Sequence, residues 1–92
     1  MGLAARRPEM PRARFLYGSL LLANGRAAEA AVELEKVVAV EPGRAAARLN
    51  LGRAYLATGR PALAEAQARA ALVLEPGNPS ILQLFGAMGL RP

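Results

Sequence analysis

The glycines of this chain fall on a fixed interval: Gly18, Gly52 and Gly86 stand 34 residues apart, as do Gly25 and Gly59. The punctuation keeps the same interval, since Glu41-Pro42-Gly43 returns as Glu75-Pro76-Gly77, Ala30 as Ala64, and Gly25-Arg26 as Gly59-Arg60. Residues 11–44 and 45–78 align without a gap at 12 identities in 34, and residues 79–92 begin a third copy. A repeat of this length is one supersecondary unit that cannot bury its apolar face alone and must stack on its neighbours. With 92 residues the array is short, has room for one modest core, and excludes a two-domain enzyme.

Each unit reads as two helices. The chain is 53% hydrophobic with only 4% aromatic residues, and 21 of its residues are alanine, so the apolar material favours helices over strands. In the second copy a helix over 45–57 is followed by a turn at Thr58-Gly59-Arg60, and Pro61 opens a helix to Leu74 at the position where its missing donor costs nothing. Glu75-Pro76-Gly77 is predicted to end that helix, with the proline breaking the ladder and the glycine taking a left-handed terminal conformation. The first copy gives helices over 11–24 and 27–40 and the third a single helix over 79–90, so the expected fold is an all-α solenoid of antiparallel hairpins with five helices.

Asn50-Leu51-Gly52, Ala54-Tyr55, Gly59, Ala64, Ala71-Leu72, Leu74 and Pro76-Gly77-Asn78 resemble the tetratricopeptide repeat. Residues 11–44 resemble it more loosely, through Tyr17, Gly18, Gly25, Ala30, Val37 and Pro42. The resemblance divides the chain into a basic N-terminal arm (1–10), unit one (11–44), unit two (45–78) and a truncated third unit (79–92). It also places the family's first-helix tryptophan at Arg14, Arg48 and Leu82, a departure that weakens packing within each unit. In a helix interior glycine costs about 1 kcal/mol relative to alanine. Gly18 and Gly52 are therefore expected to sit where Ala30 and Ala64 of the second helix press close. Core volume is expected to balance within each copy, with Tyr17, Leu21, Leu34 and Val37 in the first answered by Leu51, Tyr55, Ala68 and Ala71 in the second.

The chain has no Cys, His, Asp or Trp. Disulfides, thiolate and imidazole metal sites, Cys-His and Ser-His-Asp nucleophiles and the commonest general base are all absent, so no enzymatic activity, cofactor or metal is expected. Asn78-Pro79-Ser80 is no glycosylation acceptor because of its central proline, and Gly86-Ala87-Met88-Gly89 lies in a predicted helix without the basic residues of a nucleic-acid clamp. Lys36, beside Glu33 and Glu35, reads as an exposed salt-bridge position. The net charge of +5 comes from eleven Arg and one Lys against seven Glu, a balance that GC-rich, bacterial-type coding alone would produce. Its excess gathers in Arg6, Arg7, Arg12 and Arg14; such a surface suits acidic partners, but without interleaved aromatics nucleic acid is not the expected one. The apolar run Phe15 to Ala23 imitates a secretory signal, yet at nine residues it falls far short of the roughly 20 that span a bilayer. No transmembrane segment is expected; a cytoplasmic location is, with a periplasmic or membrane-associated one left open.

What the resemblance implies for function is a non-catalytic scaffold that holds a peptide or partner protein on a concave face lined by the first helix of each unit. By register that groove comprises Arg12, Phe15, Leu16, Ser19, Leu22 and Ala23, then Leu49, Asn50, Arg53, Leu56 and Ala57, then Ser80, Gln83, Leu84 and Ala87. An apolar floor with two guanidinium groups and two amides suits aliphatic side chains and carboxylates, and Asn50 could bond a peptide backbone. The Lys/Asn cluster with which some family members grip a terminal carboxylate is matched only by Asn50, with Phe15, Ser19, Ser80 and Leu84 in the other places. Two alternatives compete with the scaffold: a self-associating or docking module, and an appendage or fragment of a larger enzyme. The first rests on the third unit, where Leu82, Phe85, Gly86 and Gly89 are expected to form an exposed apolar seam because the second helix that would cover them is absent. A second copy in a two-fold homodimer, the N-terminal arm or another protein would cover it, and Ile81, Leu84 and Met88 would face the preceding hairpin.

Overall fold

The computed structural model describes residues 10–92 as five helices: α1 Pro11–Ala23, α2 Ala27–Val40, α3 Ala45–Ala57, α4 Pro61–Leu74 and α5 Pro79–Met88. No strand occurs among the described residues. The arm with Arg6 and Arg7 lies almost wholly outside them. Pro11, Pro61 and Pro79 each open a helix, and at α5 the Asn78 side chain also accepts from the Ser80 N–H at 2.8 Å.

Where the helices stop differs from the expectation. The left-handed glycines are Gly25, Gly59 and Gly89, at φ 79°, 74° and 71°, and Gly43 and Gly77 are not among them. At each left-handed glycine two bonds close the helix end: Arg26 N–H donates to Leu21 O and Gly25 N–H to Leu22 O; Arg60 donates to Tyr55 and Gly59 to Leu56; Leu90 donates to Phe85 and Gly89 to Gly86. This is the paired capping pattern that needs positive φ. After α2 and α4 the chain leaves the helix differently. Glu41 and Glu75 precede proline and are driven out of the helical region, to φ −126° and −139°. Pro42 and Pro76 then occupy the second position of turns closed by Arg44 N–H to Glu41 O and Asn78 N–H to Glu75 O, each 3.1 Å, and no left-handed residue is required. Gly89 stands at the register position of Tyr55, so α5 ends at Met88, about a turn sooner than α3 and short of the expected Leu90.

Each helix packs on the next in sequence. In addition α1 touches α3 and α3 touches α5, whereas α2 and α4 do not meet. The hairpins therefore converge on the side of α1, α3 and α5 and splay on the side of α2 and α4, which makes the first an inner face and the second an outer one.

Three register rows explain the core. Leu51 and Ala54 of α3 are buried against the first hairpin, with Ala47 also buried, and Ile81 and Phe85 of α5 are fully buried against the second, with Met88 half-buried beside them. The same rows in α1 are Ala13, Tyr17 and Leu20, all exposed. Tyr17 was expected in the core and is 52% exposed, because no described hairpin precedes α1. Volume balances across the junction between units rather than within them. Leu34 of α2 meets Leu51 and Tyr55 of α3, while the smaller Ala68 and Ala71 of α4 leave room for Phe85 of α5.

The glycines admit close neighbours, the expected Ala64 at Gly52 but not the expected Ala30 at Gly18. A Cβ on Gly18 would lie 2.9 Å from Leu34 Cγ, and one on Gly52 would lie 2.9 Å from Leu84 Cδ2 and 3.4 Å from Ala64 O. Leu34 rather than Ala30 presses on Gly18, and Gly52 receives α5 as well as α4. Gly86 has nothing within 4 Å among the described residues.

The missing tryptophan is answered by polar brackets at one register. Arg14 Nη1 donates to Glu33 Oε1 at 2.7 Å, and Arg48 Nη1 donates to Gln67 Oε1 at 3.1 Å, each tying the first helix of a pair to the second. Between units, the Tyr55 hydroxyl donates to the Glu35 carboxylate, linking α3 to α2, and the Arg60 guanidinium lies 4.7 Å from the Tyr55 ring centre. Burial, then the hydrogen bond and charge of Glu35, push the phenol up to about 12, with Arg60 opposing. Glu33 and Glu35 are thus engaged elsewhere, and Lys36 is exposed with no ion pair among the described residues, contrary to the expected salt bridge.

Candidate binding face of the inner helices

Charge is sorted between the two faces. The first helices carry Arg12, Arg14, Arg48 and Arg53 and no carboxylate, while Glu29, Glu33, Glu35 and Glu65 lie on α2 and α4 together with Lys36 and Arg69. Arg14 and Arg48 are occupied by the brackets between helices. Arg12 and Arg53 are exposed, and neither meets a carboxylate among the described residues.

Arg53 is held from behind. Its Nη1 donates to Asn50 Oδ1 at 3.0 Å, and Asn50 Nδ2 in turn donates to Ser19 Oγ at 3.0 Å, a chain that crosses from α3 to α1. Asn50 is therefore engaged at both ends of its amide. Below Arg53, a recess of about 350 Å³ opens between α3 and α5, lined by Arg53, Leu56, Ala57, Gln83, Leu84 and Ala87. Its walls are mostly aliphatic, with one guanidinium and one amide at the rim.

The other residues assigned to the groove are placed less uniformly. Phe15 and Leu22 are half-buried against the core of the first hairpin, and the Arg44 guanidinium lies 5.2 Å from the Phe15 ring centre. Leu16 is exposed and Ser19 half-buried. Leu49 is only 6% exposed and packs with Ala68, Ala71 and Phe85, so it belongs to the core and not to the groove. Gln83 is exposed.

The seam expected on α5 does not form as a continuous surface. Phe85 is fully buried, with Arg69 5.2 Å from its ring centre, because the α5 row that continues Leu51 turns onto α4. Gly89 is the helix cap, and Leu82 at 40% exposure and the open Gly86 remain on the surface. The family's hairpin pairing would set Phe85 against a second helix of its own unit. The register identity of Phe85 with the buried Leu51 was the signal for its true position.

Compared with known families, the chain matches the tetratricopeptide repeat over residues 21–86 in one family model and over 2–38 in a second. The chain belongs to the tetratricopeptide repeat family. No curated protein and no solved structure matches it. Tetratricopeptide repeats are generally protein-interaction modules and typically non-catalytic scaffolds. No described helix of this tetratricopeptide repeat protein is long and apolar enough to cross a membrane, and no cluster of potential metal ligands occurs among its described residues.

Proposed function

We propose that this chain is a non-catalytic scaffold whose inner face, formed by α1, α3 and α5, holds an extended segment of a partner protein rich in acidic and aliphatic side chains. The observation that carries the reading is the sorting of charge: the inner helices present arginine without any carboxylate, and two of those arginines are free of carboxylate partners among the described residues. Aliphatic surface between the guanidinium groups supplies burial, and Arg offers a planar fork that matches a carboxylate. Affinity of roughly −7 to −8 kcal/mol, in the micromolar range, is what a small, open groove of this kind supports.

The test is a titration of isotope-labelled protein with acidic-aliphatic peptides selected from a displayed library, followed residue by residue through backbone amide shifts. Shifts concentrated on α1, α3 and α5 and weakened by salt are expected. Shifts confined to α2 and α4, or binding indifferent to peptide charge, would overturn the reading.

A further inference from the structure

The recess between α3 and α5 is a concave feature of the described surface at which a hydrogen-bonded cation and an aliphatic pocket coincide. We infer that it is a side-chain subsite: it takes one aliphatic side chain of the bound segment, while the carboxylate of a neighbouring Glu or Asp side chain in that segment pairs with Arg53. This rests on the reading of the inner face as the binding face and gives it a specific recognition element.

Three observations support it. First, Leu56 and Leu84, with Ala57 and Ala87 beside them, form a floor of aliphatic carbon in a recess large enough for one branched side chain. Second, the guanidinium at the rim, though solvent-exposed, has a hydrogen-bond partner on its own helix. The chain from Ser19 through Asn50 restrains Arg53 with two 3.0 Å hydrogen bonds, and a cation ordered in advance loses less freedom when it forms its pair. Third, only Nη1 of Arg53 is engaged, which leaves its remaining donors for a carboxylate, and no glutamate lies on any inner helix to compete. The carboxylate is that of a side chain within the segment, not a chain terminus. Arg12 on α1 and Arg53 on α3 are both exposed without carboxylate partners among the described residues, and a single terminus could satisfy only one of them. Asn50 and Ser19 are positioning residues in this scheme, since they act through Arg53.

The probe is an acetylated, amidated octapeptide containing Glu and Leu in a Gly/Ser background, compared with its analogue carrying Gln for every Glu. Binding of both to the full chain is followed by amide shifts at low salt. The Glu peptide should bind about fivefold more tightly than the Gln peptide, the upper range for an exposed charge pair. R53Q should abolish most of that preference, read as the ratio of the two peptides' affinities for the same variant. N50A should reduce the preference by part of that amount, an effect on discrimination that general loosening of the fold would not produce. Gln83 and Ala87 amides should shift with either peptide, and replacing the Leu residues of the probe by Ser should remove those shifts.

The outcomes separate the two claims. If the peptides shift α1, α3 and α5 but R53Q keeps the full preference for Glu, the subsite is wrong and the inner-face reading stands. If neither peptide shifts any inner helix, the inner-face reading fails and the subsite with it. Equal binding of the acetylated peptide with a free C-terminus and with an amide is expected; a strong preference for the free terminus would overturn the assignment of the carboxylate to a side chain.

Discussion

Single residues at equivalent places in the repeat have unequal energetic roles, and the environment of each decides the difference. Tyr55 joins two units through the Glu35 carboxylate, and Leu21, its register mate in the preceding copy, is buried with no such bond to offer. The Tyr55 phenol ionises near about 10 in the unfolded chain and about 12 in the folded one. Because the unfolded state releases this proton first, the site's stabilisation is complete below about pH 10 and is lost as the pH rises through about 12. Urea midpoints measured across that range should fall for the wild type and fall less for Tyr55→Phe. Parallel curves for the two proteins would remove Tyr55 from the alkaline transition. At Gly86 nothing meets an added Cβ, so Gly86→Ala should stabilise by about 0.5–1 kcal/mol through helix propensity. Gly18→Ala would drive a methyl into the fully buried Leu34, and thermal melts should show it less stable than Gly86→Ala.

Helix ends show how far local sequence reaches at the scale of the element. Prolines at 11, 61 and 79 and the interval of 34 place every helix start, because a missing donor and a fixed φ act without help from the rest of the molecule. The choice of left-handed glycine was not legible in the same way. Gly77 follows a proline and looks like a helix terminator, yet Gly59 is the residue at positive φ. Gly59→Ala should therefore cost about 1 kcal/mol despite open space around it, and Gly77→Ala should change the unfolding midpoint little. Equal effects would contradict this division between the two turn types. Likewise Gly52→Leu should lose roughly 1–3 kcal/mol against α4 and α5, whereas Ala46→Leu, on an exposed position, should be tolerated.

For the whole molecule, stacking direction governs what each surface can do. The row Ala13, Tyr17 and Leu20 faces outward, but Leu51 and Phe85 in the same row are buried, so Tyr17→Ser should stay within about 0.5 kcal/mol of wild type while Phe85→Ala should cost about 3–5 kcal/mol. Leu82→Glu should yield a folded protein, and Phe85→Glu should not, since it would bury an unpaired charge. Circular dichroism of the two variants checks this; a folded Phe85→Glu chain would restore the seam as a surface.

The sequence by itself determined the helices, their antiparallel order and the two hairpins, because period, proline and alanine content act through local backbone preference and repetition. The family register groups Leu56 with Gln83, and both line the recess between α3 and α5. Only the tertiary structure decided which members of a repeated row are covered. Tyr17 and Phe85 occupy equivalent positions, and burial depends on whether a hairpin stands in front, a nonlocal fact that no residue carries. Nor could the sequence say that Asn50 serves Arg53, since a hydrogen bond between α1 and α3 exists only once hairpin stacking brings Ser19 within 3.0 Å of it.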